Sequence, residues 1–266
     1  MQVSSGGWTW FEGMPEDRYI TQHIVTGLGQ LDHLGIDKLT SNETTNTMVR
    51  KALNYMDIQM KNDYEQLKAL EKEGKIKLSD NHLWSTEIQY LYARSFFKDI
   101  PIEDEFKEGF EYYIGQAKKY WNSYDKYFKG MLALSLFRNG DTETPQNIVK
   151  SLREYAIVSE EMGMYWKEND WGYYWYQAPI ETQALLIEVF AEVAKDQKAV
   201  DDLKVWLLKQ KQTQDWKTTK ATVEACYALL LQGTDWLANT DMVDITLGTL
   251  KIEPSKMEDV KVEAGT

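Results

Sequence analysis

Apolar residues recur every three or four positions along most of this chain, the spacing of helices with one buried side. "DRYITQHIVTGLGQLDHLG" sets Ile20, Ile24, Leu28 and Leu31 on one side, and Gly27 and Gly29 would let a neighbouring helix come close. "TNTMVRKALNYMDIQMKNDYEQLKAL" continues with Met48, Ala52, Tyr55 and Met56. "LWSTEIQYLYARSFF" gives Ile88, Leu91, Tyr92 and Phe96 behind a cap at Ser85, and the next stretch gives Phe106, Phe110, Tyr113, Ile114 and Ala117. "YDKYFKGMLALSLFRNG" runs to a stop at Gly140. "TETPQNIVKSLREYAIVSE" opens on Thr144 as a cap with Pro145 at the first helical position. "APIETQALLIEVFAEVAKD", "KAVDDLKVWLLKQK" and "TTKATVEACYALLLQG" follow, the last closed by Gly233. The pattern predicts about nine helices with short links.

These helices alternate in character. "STEIQYLYARSFF", "PIETQALLIEVF" and "TKATVEACYALLLQG" begin with a polar cap, run through small and apolar residues and end in a glycine or polar turn, whereas "EDEFKEGFEYYIGQAKKYW" and "KAVDDLKVWLLKQKQ" are more charged. Helices of the first kind begin near Thr21, Thr86, Lys126, Thr182 and Thr222, too unevenly for a strict solenoid. Repeated hairpins, each with a buried inner and a charged outer helix, would curve into a ring. The expected fold is therefore all-α, an α/α toroid or helical arc over residues 1–240, with a plain bundle as the alternative. From Asp241 to Thr266 the period changes to two: Val243, Ile245 and Leu247 alternate with polar residues, and "TLKIEP" and "VKVEA" do the same. This short C-terminal β extension is expected to need partners, or to turn back on itself across "EPSKMED".

Composition narrows the function classes. The 266 residues carry 42 acidic and 30 basic side chains, a net charge of -12, which disfavours a nucleic-acid partner. Cys226 is the single cysteine, so an internal disulfide or a thiolate cluster has no ligands. Its neighbours Val223, Ala225, Ala228 and Leu229 read it as a small buried hydrophobe. No apolar run is long enough to span a bilayer. "MQVSSGG" does not resemble a signal segment and reads as the middle of a longer protein. Phosphate-cradling glycine motifs are missing and no cofactor is expected. Of the histidines His23, His33 and His82, only a zinc site from His33, His82 and an acid comes under consideration.

The aromatic loops are the most distinctive feature. "GGWTWFEG", "MYWKENDWGYYWYQAPIETQ" and "QKQTQDWKTTKATVEA" each place tryptophan just before an inner helix. Such tryptophans lock one hairpin to the next, with the indole N–H on a backbone carbonyl. The competing reading is a carbohydrate cleft, in which Trp8, Trp10, Trp171 and Trp175 stack on sugar rings. Asp17 or Glu16 would then pair across it with Asp170, Glu168 or Glu181 as acid and base.

The same segments carry a resemblance. "GGWTWFEGMPEDRYITQHIVTGLGQL" and "WGYYWYQAPIETQALLIEVFAEV" resemble two hairpins of the thioester domain of bacterial α2-macroglobulin-like protease inhibitors. "DITLGTLKIEP" with "VKVEAGT" resembles the strands that leave that domain for its β-sandwich housing. The resemblance implies a terpenoid-cyclase-like α/α toroid set in a CUB-like β-sandwich beside macroglobulin β-domains. It implies a periplasmic or extracellular inhibitor whose partners are those β-domains and, through the parent, target proteases. The family's warhead needs a Cys-x-Glu-Gln stretch. Here Cys226 is followed by Tyr227, Ala228 and Leu229, and the resemblance places the warhead upstream of "GGWTWF". A histidine that tunes reactivity in warhead-bearing relatives would fall near Trp84, Ser85 and Thr86, none of which is histidine. The resemblance thus implies a structural, docking role for this chain, with no catalytic residue to carry over.

Overall fold

The computed structural model describes residues 1–35, 41–167, 178–213, 216–231, 245–247 and 250–252. Among them the protein is all-α with short β elements. A hairpin of two-residue strands, β1 (Trp8–Thr9) and β2 (Glu16–Asp17), leads into α1 (Arg18–His33). Then come α2 (Glu43–Lys72), α3 (Ser85–Ser95), α4 (Asp104–Tyr120), α5 (Lys126–Arg138) and α6 (Glu143–Glu154). A second hairpin, β3 (Ile157–Ser159) and β4 (Gly163–Tyr165), precedes α7 (Pro179–Val189), α8 (Gln197–Thr213) and α9 (Thr219–Leu230). The strands β5 (Ile245–Leu247) and β6 (Leu250–Ile252) pair antiparallel, with Leu247 opposite Leu250.

The odd-numbered helices pack side by side in chain order, and the even-numbered ones lie outside them. One small cavity gathers His23 of α1, Gln89 of α3, Tyr127 of α5, Leu185 of α7 and Lys220 of α9. These five helices therefore surround one axis, and their first two turns meet at the same end, so they run in the same direction. Gln30 on α1 reaches Glu224 on α9 at 2.8 Å, joining the first inner helix to the last. This is the α/α toroid that the alternation of helix types predicts. Burial follows the layering: every residue of α7 is buried, whereas α4 buries Phe106, Gly109, Tyr113, Gln116 and Ala117 only.

Several local expectations need correction. On α1, Ile20, Ile24 and Leu28 do pack half-buried against the core, but Leu31 is 48% exposed and the fully buried residues are Thr21, Gln22, Val25, Thr26, Gly29 and Gln30. The ring turns the polar side of this helix inward because its amides find partners there: Gln22 donates to Gln89 at 2.8 Å. Gly29 does permit close approach, since a Cβ there would lie 2.6 Å from Phe96, but a Cβ on Gly27 would meet nothing within 4 Å. The third helix is capped one residue earlier than Ser85, Glu87 accepting from the Trp84 backbone N–H at 3.0 Å. Asp141, not Thr144, accepts the first amides of α6, and Pro145 is its third residue rather than its first. That helix ends at Glu154 rather than running through "AIVSE", where β-branched Ile157 and Val158 enter β3.

Cys226 is exposed, not buried. Among the described residues no helix follows α9 to cover its outer side, and Val223 beside it is 54% exposed. The expected stop at Gly233 and the turn across "EPSKMED" lie outside the described residues.

Candidate functional site

The first aromatic loop is a tight hairpin that caps a helix. Trp8 pairs with Asp17 across β1 and β2, and its N–H donates to Thr21 Oγ1 at 2.8 Å. The indole of Trp8 is buried in the core. Asp17 ends β2 and caps α1, its Oδ1 accepting from the Ile20 N–H at 2.9 Å. A Cβ on Gly6 would lie 2.2 Å from the Lys51 carbonyl oxygen, and φ there is +97°, so glycine seats the hairpin against α2. Trp10 is 52% exposed and stacks on Tyr19, which stacks on His23 with ring centres 6.1 Å apart.

The loops before α7 and α9 repeat the packing theme where they are described. Trp166 is buried and its indole N–H donates to the Leu152 carbonyl at 2.9 Å. Trp216 is buried beneath the Lys211 ammonium, but against expectation its indole N–H has no hydrogen-bond partner among the described residues. Asp170, Trp171, Trp175 and Glu168 lie outside the described residues. Of the acids expected to pair across a cleft, Glu16, Asp17 and Glu181 are therefore placed, and Glu181 is buried in the first turn of α7.

The axis of the ring is the richest place in titratable groups, and sequence reading missed it apart from Glu181. At the end where the inner helices begin, His23, Tyr127, Lys220 and Glu224 line a cavity of about 10 Å³, room for a single water. Burial lowers the His23 pKa, with Lys220 adding to the effect. Burial also lowers that of Lys220, against the pull of Glu181 and Glu224. It raises Glu181, one of whose buried carboxylate oxygens has no hydrogen-bond partner among the described residues. Glu224 is pushed up to about 7 by burial, although Gln30 and Lys220 favour its charged form.

At the other end a buried guanidinium closes the axis. Arg138, the last residue of α5, donates to Glu188 at 2.7 Å, to Glu192 at 2.6 Å and to Ser95 at 3.2 Å. Glu188 also accepts from the hydroxyls of Tyr92 and Tyr227, each at 2.5 Å. Burial works against the Arg138 charge, but the two glutamates more than offset it and hold the pKa above its ordinary value. A sequence signal for this network existed: Arg138 ends the apolar run "GMLALSLFR", and Glu188 stands alone in "ALLIEVF".

His33 comes together with Glu188 and Glu192, their ligand atoms within 4.8 Å of one another, rather than with His82. His82 lies 2.8 Å from the Lys77 carbonyl through its Nε2. A cation beside His33 would compete with Arg138 for both carboxylates, so this trio is better read as part of the ion-pair network.

A groove of about 580 Å³ lies between the ends of α3 and α5 and the start of α4. Ile100, Pro101, Ile102 and Phe110 supply its apolar lining, and Glu111 is the one carboxylate among the residues around it. Among the described residues that line it there is no acid pair of the kind that glycoside cleavage requires. No helix among the described residues is long and apolar enough to cross a membrane. Comparison of the chain with known protein families and with curated proteins finds no match.

Proposed function

We propose that this chain is a non-catalytic structural and docking body of a macroglobulin-like endopeptidase inhibitor of the cell envelope. The observation that carries the reading is the filled axis. A ring that worked on a polymer would need an open cleft with convergent carboxylates. Here one end holds a water-sized cavity and the other is closed by Arg138. Trp8 and Asp17 are spent on packing and capping α1. The resemblance of the aromatic hairpins and of the C-terminal strand segments to the thioester domain supplies the family and the adjoining β-domains. The full-length parent is expected in the envelope fraction, where it should lower the activity of an added endopeptidase on a protein substrate. A parent confined to the cytoplasm, or one that leaves the endopeptidase fully active, would refute this function.

One observation keeps a second reading in play: Trp10 offers a half-exposed indole at the end of an aromatic stack. Under that reading the loop binds glycan. Titrating the protein with mixed oligosaccharides while following tryptophan fluorescence separates the two. A saturable change abolished by Trp10→Ala favours glycan binding, and a flat titration favours docking.

A further inference from the structure

The β1–β2 hairpin carries two sets of side chains. The fold uses one of them: Trp8 and Thr9 are buried, and Trp8 belongs to the core. It leaves the other outside. Trp10 is 52% exposed, Phe11 72% and Met14 47%, and Trp84 at the start of the neighbouring α3 is 70% exposed. The two helix starts are adjacent, since Gln22 of α1 donates to the Thr86 carbonyl of α3 at 3.1 Å. Of the four described aromatic rings that are more than half exposed, these supply three, and Tyr155 is the fourth. Single apolar residues are ordinary on a surface, but a cluster of Trp, Phe and Met has the composition of an interface centre.

The tip of the hairpin is held in place. Below it Trp8 pairs with Asp17 and Thr9 with Glu16. The Met14 N–H donates to the Phe11 carbonyl at 3.2 Å, and Gly13 takes a φ of +83° in the turn. Trp10 stacks on Tyr19 with ring centres 6.2 Å apart. A partner therefore meets side chains that are already ordered, which lowers the entropic cost of association.

We infer that this tip docks into an apolar surface of a polypeptide partner, edged by lysine or arginine. The inference deepens the docking role proposed above and rests on it. Charge selects the partner. Residues 1–17 contain Glu12, Glu16 and Asp17 and no lysine or arginine. Asp17 is engaged in capping α1. Glu12 and Glu16 are exposed and form no ion pair among the described residues. Arg18, the next residue, is held by Asp63 and Glu87. Exposed Trp and Phe would also suit a lipid interface, but unpaired carboxylates beside them are repelled by an anionic leaflet. The same carboxylates attract a basic rim and steer its approach.

The test titrates three fluorescein-labelled amphipathic helical peptides with the whole chain and follows anisotropy. One peptide has a leucine side and a lysine side, one carries glutamate in place of lysine, and one carries serine in place of leucine. The leucine–lysine peptide should bind saturably and the other two should not. Trp10→Ala combined with Phe11→Ser should weaken that binding by about tenfold or more, as for aromatic anchors. Glu12→Lys combined with Glu16→Lys should weaken it too, whereas Tyr155→Ser should leave it unchanged. Trp10, Phe11, Glu12 and Glu16 lie outside the core, so these variants should unfold at the temperature of the unsubstituted protein. Equal binding of the leucine–lysine and serine–lysine peptides overturns the inference, because the net charge of -12 would then suffice. So does binding that survives the Trp10 and Phe11 substitutions, or tighter binding to phosphatidylglycerol vesicles than to the peptide. If none of the peptides binds, this surface is ruled out, and endopeptidase inhibition by the parent, measured separately, reports on the docking role itself.

Discussion

Arg138 on α5 and Glu188 on α7 lie 2.7 Å apart with 6% and 1% of their side chains exposed, and together they close one end of the ring. Removing one partner of such a pair leaves the other charge buried without compensation. Arg138→Met should therefore destabilise the protein by about 3–5 kcal/mol, read from the urea midpoint at constant slope. Replacing Arg138, Glu188 and Glu192 together by apolar residues should recover much of that loss, because nothing charged is then stranded. A loss below about 1 kcal/mol for the single variant would mean that the network is better hydrated than its burial indicates.

Two glycines on one helix should answer oppositely to the same substitution. At Gly29 a new methyl would lie 2.6 Å from Phe96 Cβ, so Gly29→Ala should cost about 1–3 kcal/mol through forced repacking of α1 against α3. At Gly27 there is open space, so Gly27→Ala should stabilise by about 0.5–1 kcal/mol through helix propensity alone. Thermal unfolding of the two variants checks both. Equal effects would contradict the packing of α1 on α3.

Asp17 separates capping from ligand binding. Its carboxylate accepts from the Ile20 N–H at 2.9 Å, so Asp17→Ala should cost about 1 kcal/mol while Asp17→Asn, an equally good cap, stays near neutral. Urea unfolding of the two variants reads the difference. If Asp17→Ala left stability unchanged, the capping role would be wrong and a ligand role would regain ground.

Glu181 gives a pH signature. It is 3% exposed, one of its oxygens has no partner among the described residues, and burial raises its pKa above the ordinary 4.5. A raised carboxyl holds its proton more tightly in the fold than in the unfolded chain. Its contribution to stability is therefore greatest below about 4.5 and is lost as pH rises through the folded value. The difference in Tm between Glu181→Gln and the unsubstituted protein should grow across that window, in favour of the variant, and level off above it. A difference independent of pH would show that Glu181 is not held in its neutral form by burial.

The layering of the fold was legible because inner and outer helices bury different fractions of their surface. "PIETQALLIEVF" runs mostly through small and apolar residues because α7 is enclosed on every side, its Glu181 and Glu188 included, and "EDEFKEGFEYYIGQAKKYW" keeps a charged side because α4 is not. The site was less legible. Thr21, Gln22, Thr26 and Gln30 look like the solvent side of α1, yet they face inward because partners 67 and 194 residues away satisfy the amides. Periodicity reports polarity, and it does not report where a distant hydrogen-bond partner sits. Cys226 shows the reverse limit: an apolar sequence around it gives no sign that α9 lacks a covering helix among the described residues. Isolated charges inside apolar helices, Arg138 and Glu188, were the usable signal, since a lone buried charge requires a partner.

The central claim is that this chain docks and supports but carries no reaction. The most direct test is to incubate the chain with an endopeptidase in excess of its own concentration, and then measure residual protease activity and the intact mass of the chain in the same sample. The expected result is full protease activity and no covalent increment on the chain, with or without methylamine present. Loss of activity together with an added protease mass, or a methylamine increment on the chain, would place acyl-transfer chemistry inside residues 1–266 and contradict the claim.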